Sequence, residues 1–262
     1  HYGVTQTGNF EGRNILNIVE PLPNYRRELI QEEVNPEGFL ERSRGLLRER
    51  RSERVHPSTD TKIIAAWNGL TIDALARSGM ALDSPVYIAA AEQCATVLLD
   101  ALLIDNRGLR RIYADGRASI LAFLDDYACL ADGLLSLYLA TGDEKWFLSS
   151  ELLIKEMIAK FWDDSEGGFF TTGIENEALV AKMKPTTDGA TPSGNSQAAR
   201  ALARLYALTG ESALADRLDA IAAMNGGIML RQAIHAPLFV HTMVWLRSHR
   251  VVAIVGHPDD PG

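Results

Sequence analysis

The internal repeat of this chain limits its fold more than any other feature. The segments "LYLATGDEKW", from Leu137, and "LYALTGESAL", from Leu205, share the pattern Leu-Tyr-x-x-Thr-Gly-acid and begin 68 residues apart. "LARSGMALDSPVY" is a looser third copy, in which Gly79 takes the place of Gly142 and Gly210. Glycine suits the left-handed position that ends a helix, so each copy predicts a helix, a stop and a return helix.

Apolar residues recur with helical spacing along most of the chain. In "TKIIAAWNGLTIDALARSG", for example, they fall at i, i+4, i+7 and i+11 from Ile63. Short strands are expected in a hairpin turning at Asp115-Gly116, in a second hairpin within "GGFFTTGIENEALVAKM" and in a buried strand, "RVVAIVG". Eight helices are predicted, at about residues 36–52, 61–79, 84–103, 124–140, 143–161, 193–208, 211–223 and 233–248.

Paired helices that recur about every 60–70 residues predict a curved or closed array of α-hairpins. The closed form is an α/α toroid. The alternative is an open α-solenoid, although solenoid repeats are shorter, at about 34–47 residues. We therefore predict an all-α fold, an α/α toroid that forms one domain over residues 1–262. Its helical hairpins are expected at about 62–104, 124–161 and 193–224, with short β-hairpin excursions between them.

Composition excludes several classes of partner. A net charge of −8 and a pI near 5.3 argue against a nucleic-acid or anionic-membrane surface. No apolar run approaches the roughly 20 residues that span a bilayer. Cys94 and Cys129 form neither a C-x-x-C motif nor a disulfide framework, which favours a reducing, cytoplasmic location. Because no histidines stand at ligand spacing, we predict no metal and no cofactor.

Polar and aromatic residues cluster where the first helix of each repeat begins. The third repeat shows this best, because the eleven residues from Pro185 to Asn195 include no large apolar side chain. The candidate site residues over the three repeats are Asp60, Lys62, Trp67, Asn68, Asp125, Asp126, Tyr127, Asp188, Ser193 and Asn195.

These residues are predicted to converge. In a toroid the starts of the inner helices share one rim, so residues about 60 positions apart face one cavity, and helix N-termini add partial positive potential there. A local explanation is also open for each residue. Asp125 or Ser193 could only cap its own helix, and Trp67 or Tyr127 could only fill the core.

Four ordered blocks resemble a known family. "DTKIIAAWNGLTIDALARSG", "FLDDYACLADGLLSLYLATGD", "GGFF" and "DGATPSGNSQAA" are similar to the signature blocks of the thioredoxin-domain-containing, spermatogenesis-associated protein family. The resemblance implies a thioredoxin-like domain followed by an α/α toroid related to six-hairpin glycosidases and sugar epimerases. This chain lacks the thioredoxin-like part and shows about four of the six hairpins, so we expect an incomplete toroid. The family implies no settled reaction.

Paired carboxylates are the chemistry that such a rim could support. Glycoside hydrolysis uses two carboxyl groups about 5–9.5 Å apart. Asp126 and Asp188 form the best candidate pair, with Asp125 and Asp60 in reserve. A sugar epimerase or isomerase more often uses histidine as its proton carrier, and His56 is the only histidine near these helix starts.

The remaining candidates suit sugar binding. Trp67 and Tyr127 could stack on a sugar face, and Asn68 and Asn195 could bond its hydroxyl groups. We therefore expect a carbohydrate-active-enzyme-like domain of glycoside hydrolase or sugar epimerase/isomerase type, with a sugar-like ligand at the rim. The alternative is a non-catalytic scaffold or binding module that serves an attached thioredoxin-like domain.

Overall fold

The computed structural model describes residues 2–19, 35–104, 108–177 and 180–248, together with positions 24, 26, 27, 30 and 250. The chain divides into two compact units, His1–Asp60 and Thr61–Gly262. In the first, the N-terminal unit, helix α1 (Pro36–Ser52) begins where the Asn35 side chain accepts a hydrogen bond from the Gly38 N–H at 3.2 Å. The second, here called the helical unit, contains the repeats.

The helical unit consists of paired helices, as the repeats predict. These are α2 (Ala65–Ala81), α3 (Pro85–Leu102), α4 (Leu124–Thr141), α5 (Glu144–Phe161), α6 (Gly194–Thr209), α7 (Ser212–Gln232) and α8 (Pro237–Ser248). A 3-10 turn, Ala233–His235, separates the last two helices.

Alternate helices form an inner layer. Helix α4 packs between α2 and α6, and α6 in turn packs against α8, whereas α3, α5 and α7 each pack on the helix before them. Helices α2 and α4 approach each other closely at two glycines. A Cβ on Gly69 would lie 2.5 Å from the Leu130 backbone nitrogen, and one on Gly133 would lie 2.5 Å from the Gly69 carbonyl oxygen. This alternation is that of an α/α toroid, which confirms the predicted fold class.

The repeated glycines have two different roles. Gly142 and Gly210 follow α4 and α6 at φ 70° and 71°, and each N–H donates to the carbonyl of a tyrosine four residues earlier at 2.8 Å. The helix stop predicted at Gly79 is wrong, because Gly79 lies inside α2. A Cβ there would come within 2.5 Å of the Ile88 side chain, so Gly79 lets α3 pack closely.

A small antiparallel sheet accompanies the helices. It contains β1 (Ile63–Ile64), β2 (Leu103–Ile104), β3 (Gly108–Ala114) and β4 (Arg117–Leu121), and the first, second and fourth all pair with β3. The predicted hairpin is confirmed at Asp115-Gly116, whose φ angles of 51° and 77° suit a type I′ turn.

The second predicted hairpin is wrong, because the described residues there do not form two paired strands. The described residues between 163 and 183 form turns and bends, with one isolated bridge between Trp162 and Phe169. The Thr171 N–H and hydroxyl both donate hydrogen bonds to the Met183 carbonyl, and these bonds join the two ends of the segment without forming a β-ladder. The two glycines before Phe169 adopt positive φ. The strand predicted near residue 250 lies outside the described residues.

Helix α3 is long and apolar enough to cross a membrane, judged by length and composition alone. That criterion is weak, because helices buried in protein cores also meet it. Ala91, Ala95 and Leu98 of α3 are buried within the core of the helical unit.

Candidate functional site

A groove of about 260 Å³ lies at the predicted rim, where the inner helices α4 and α6 begin. One wall carries Arg111 of β3 and the residues that lead into α4. The opposite wall comes from the loop before α6, which presents only proline and glycine there. The groove is lined by Arg111, Phe123, Leu124, Asp125, Thr171, Pro185, Pro192 and Gly194.

Arg111 joins the two adjacent aspartates at the start of α4. Its Nη1 atom lies 2.7 Å from Asp126 Oδ2 and 3.2 Å from Asp125 Oδ1. Its guanidinium also lies over the Phe123 ring, 5.1 Å from the ring centroid. Three charged groups are therefore held in a fixed arrangement at one edge of the groove.

Asp126 lies beneath the groove and is fully buried. Its carboxylate accepts the Phe123 N–H at 2.9 Å and the Ala66 N–H at 3.1 Å, besides the bond from Arg111. Burial, with the neighbouring charge of Asp125, raises the pKa of Asp126 to about 6, although these three donors act against the shift. Asp126 thus has a structural role, and its pKa lies closer to neutral pH than that of an ordinary carboxyl group.

Asp125 is the carboxylate that a ligand can reach. Its side chain keeps 36% of its surface exposed and lines the groove, whereas that of Asp126 keeps none. Helical residues that are adjacent in sequence point in different directions, so this division between Asp125 and Asp126 is expected of neighbours at a helix start.

Asp188 holds the loop before α6 to the next inner helix. Its two carboxylate oxygens accept the Ser193 N–H and the Leu238 N–H, each at 2.9 Å. Ser193 in turn caps α6, because its Oγ accepts the Ser196 N–H at 3.1 Å. Asp188 itself is not among the residues that line the groove.

Asn195 fastens two loops together and is fully buried. Its Oδ1 accepts the Phe169 N–H at 2.8 Å, and its Nδ2 donates to the Phe169 and Pro185 carbonyls at 2.9 and 3.1 Å. All of these partners belong to the protein, so the amide shapes the loop around the groove without facing into it.

Tyr127 belongs to the hydrophobic core rather than to a cavity that could hold a sugar. Its hydroxyl donates to Glu156 at 2.9 Å and accepts the Leu109 N–H at 3.0 Å, and its ring lies 5.4 Å from that of Phe161. Burial raises the pKa of Tyr127 above its usual range. The core suits this side chain because its ring packs against Phe161 and its hydroxyl group has both a hydrogen-bond acceptor and a donor there.

The residues predicted from the first repeat do not line the groove. Trp67 is 62% exposed on α2. Asn68 donates to the Ile64 carbonyl at 2.9 Å, and its Oδ1 lies 3.6 Å from the Cys94 sulfur. Lys62 is exposed at the start of the helical unit, and Asp60 is the last residue of the N-terminal unit.

The structure therefore brings Asp125 and Asp126 together but adds residues that the sequence did not indicate. Arg111 and Phe123 were missed, because a lone arginine in a short hairpin has no spacing signal. The one sequence feature that could have indicated Arg111 is its position in the hairpin that immediately precedes an inner helix. Among the described residues, no group of three or more His, Cys, Asp or Glu side chains could hold a metal ion.

Comparison with known proteins gives relatives at moderate identity. The chain is 29% identical to spermatogenesis-associated protein 20 of Mus musculus, over 98% of this chain and 35% of the mouse protein. The human protein of the same name is also 29% identical, over 93% of this chain and 34% of its own length. The chain thus spans about a third of the length of these relatives. No family model matches it.

Solved structures with the same fold are sugar-processing enzymes. An α-mannanase of glycoside hydrolase family 76 from Bacteroides thetaiotaomicron matches with a TM-score of 0.57 at 14% identity, over 73% of this chain and 57% of the enzyme. Cellobiose 2-epimerase from Spirochaeta thermophila has a TM-score of 0.53 at 15% identity, over 64% and 44%. An inactive α-1,6-mannanase variant from Salegentibacter, with two consecutive aspartates changed to asparagine, has a TM-score of 0.50 at 15% identity, over 71% and 53%.

These comparisons agree with the blocks quoted from the sequence and with the alternating helices of the structure. The chain is similar over nearly its whole length to the spermatogenesis-associated protein 20 proteins, and its helical unit has the α/α-toroid fold of these solved structures.

Proposed function

We propose that the groove beside Arg111 and Asp125 binds a sugar-like ligand, and that the helical unit is the toroid part of a carbohydrate-active enzyme. The observation that carries this proposal is the groove itself. It holds a reachable carboxylate and a guanidinium opposite a loop whose proline and glycine leave the backbone open to a ligand. Such paired polar groups suit the vicinal hydroxyls of a sugar.

The adjacent aspartates support the proposal from a second direction. The Salegentibacter mannanase variant is inactive with two consecutive aspartates replaced. This chain carries Asp125 and Asp126 consecutively at the start of an inner helix of the same kind of fold. Burial and the charge of Asp125 raise the pKa of Asp126 to about 6, in the range that glycosidases give to a general acid, and Asp125 forms an ion pair with Arg111.

The two aspartates have different roles in this proposal. Asp125 contacts the ligand. Asp126, which is buried, positions Arg111 and the start of α4 and holds a proton beneath the groove. Glycoside hydrolysis uses two carboxyl groups, whereas Asp125 is the one carboxylate among the residues that line this groove. The catalytic pair predicted from the sequence, Asp126 and Asp188, stays a prediction.

Ligand-observed NMR tests the binding part of the proposal. Cellobiose, mannose and α-1,6-mannotriose are titrated against the protein and against the variant Asp125→Asn. The expected loss of affinity is about tenfold or more for a ligand that binds, because hydrogen bonds to charged groups contribute about 1.5–3 kcal/mol. Asp115→Asn is the matched control, since it removes the same charge from an exposed hairpin turn. Equal affinities for the two variants would contradict the proposal.

A second candidate function is a non-catalytic binding module for a thioredoxin-like domain. It is favoured by exposed apolar side chains on the α2–α3 hairpin. Trp67 is 62% exposed in the first turn of α2, and Leu82 and Val86 are 67% and 74% exposed at the other end of that helix. The hydrogen bonds of Asp126 and Asp188 to backbone N–H groups are also consistent with a non-catalytic protein. Calorimetric titration with the thioredoxin-like domain of a relative tests it. Binding that is lost in Trp67→Ala and kept in Asp125→Asn would favour the module over the enzyme.

A further inference from the structure

A second cavity, of about 310 Å³, lies among the inner helices and shares no lining residue with the groove. Arg77 near the end of α2 and Leu139 near the end of α4 form one side. Arg204 of α6 and His241 and Trp245 of α8 form the other, and Arg200 of α6 also lines it. Its volume is near the lower end of the range for small-molecule pockets, about 300–1,000 Å³.

Two buried aspartates stand behind the arginines of this cavity. Asp132 of α4 accepts Arg204 Nη1 at 2.6 Å and lies 3.2 Å from Arg200 Nε. Asp73 of α2 accepts Arg200 Nη2 at 2.9 Å and a bond from the Ser136 hydroxyl. These bonds tie three inner helices together, and they hold both guanidinium groups rigidly at the cavity wall.

The cavity has more positive charge than its partners neutralise. Arg77, Arg200 and Arg204 bring three positive charges to two carboxylates, which leaves one in excess. Arg77 makes only a 3.7 Å contact with Asp73, and its side chain is 57% exposed. Over the described part of the chain, Arg204 bonds through Nη1 alone, so Nε and Nη2 remain as donors.

The two carboxylates are already occupied by protein donors. Asp132 also accepts the Gln197 amide at 2.9 Å, besides its two arginines. The excess positive charge is therefore available to an anion from outside this cluster. Leu139, Met80 and Trp245 supply apolar surface beside it. A planar guanidinium suits the paired oxygens of a carboxylate or phosphate, and an indole suits the apolar face of a sugar ring.

We propose that this cavity binds a small anionic sugar, with its carboxylate or phosphate on Arg77 and Arg204 and its ring against Trp245. His241, at the cavity edge, adds a further ring nitrogen for a hydroxyl or the anion. The inference is independent of the groove, because the two sites use different residues of the inner helices.

Isothermal titration tests this with glucuronate, glucose 6-phosphate, inorganic phosphate and neutral glucose as probes. Glucuronate or glucose 6-phosphate is expected to bind, and glucose at least tenfold more weakly, because glucose cannot bond a guanidinium through an ionised group. Higher salt should weaken the binding of the anions. The first two probes distinguish a carboxylate from a phosphate, and inorganic phosphate shows whether the sugar ring contributes.

Arg77→Gln is the informative variant, since its long contact makes little demand on folding. It should weaken binding of the anionic sugar about three- to tenfold, whereas Arg117→Gln, the same charge change at an exposed strand position, should not. His241→Gln provides a second variant on another helix. Equal affinity for glucuronate, glucose 6-phosphate and glucose would overturn the proposal. So would equal affinity in Arg77→Gln and Arg117→Gln, or no binding of any anion by the folded protein.

Discussion

The carboxylate of Asp126 accepts the backbone N–H of Ala66 at 3.1 Å, across 60 residues of sequence. Ala66 lies in the first turn of α2, and Asp126 lies in the first turn of α4. One side chain therefore joins the starts of two successive inner helices. The rim at which the sequence predicts a site is held together by one of the residues predicted to do the chemistry.

Asp126→Ala should destabilise the protein strongly. The substitution leaves the N–H groups of Phe123 and Ala66 and the guanidinium of Arg111 without their buried acceptor. We expect a loss of about 3 kcal/mol or more in the free energy of unfolding, measured by urea denaturation. Asp125→Ala is the control and should cost about 1 kcal/mol or less, because its ion pair is partly exposed. Comparable losses for the two variants would contradict the structural role of Asp126.

Asp126 should also make stability depend on pH. Its pKa rises from 3.8 to about 6 on folding, so the folded protein binds this proton more tightly than the unfolded chain does. The stabilisation from this proton is complete below about pH 4 and is lost as the pH rises through 6, a change of about 3 kcal/mol. Urea unfolding from pH 4 to 7 should show that decline in the protein relative to Asp126→Asn. A difference that stays constant with pH would exclude the raised pKa.

Asp188 should stabilise the folded protein whether or not it takes part in catalysis. Asp188→Ala removes the acceptor of the Ser193 and Leu238 N–H groups and should cost about 1–2 kcal/mol. Thermal denaturation measures this, with Asp164→Ala at an exposed turn as the control. A purely catalytic Asp188 would instead leave the melting temperature unchanged while slowing turnover of a known substrate about 10²-fold.

Gly69→Ala should be the most damaging glycine substitution in α2. A Cβ at this position would lie 2.5 Å from the Leu130 backbone, which cannot move without separating α2 from α4. The expected cost is about 3 kcal/mol, at the upper end of overpacking effects. Gly226→Ala in α7 is the control. Its Cβ meets nothing within 4 Å, so it should stabilise that helix by up to about 1 kcal/mol. Similar unfolding free energies for both variants would contradict the close packing.

The sequence by itself determined the helices, the hairpin turn and the repeats. Helical periodicity and the glycines after α4 and α6 are local signals, because a backbone at positive φ favours glycine wherever it occurs. Asp115-Gly116 indicates its turn for the same reason. Gly79 shows the limit of such signals, since the same residue type also serves close packing between helices.

Tertiary structure alone decided what the polar residues at the rim do. Asp126, Asp188 and Asn195 take partners 60, 50 and 26 residues away, and no spacing rule relates them to Ala66, Leu238 or Phe169. Whether a carboxylate faces a groove or a backbone N–H depends on how neighbouring helices pack. Burial then sets its charge state, because desolvation acts only once those neighbours are in place. For that reason Asp125 and Asp126, identical and adjacent in sequence, differ in exposure, and burial raises the pKa of Asp126.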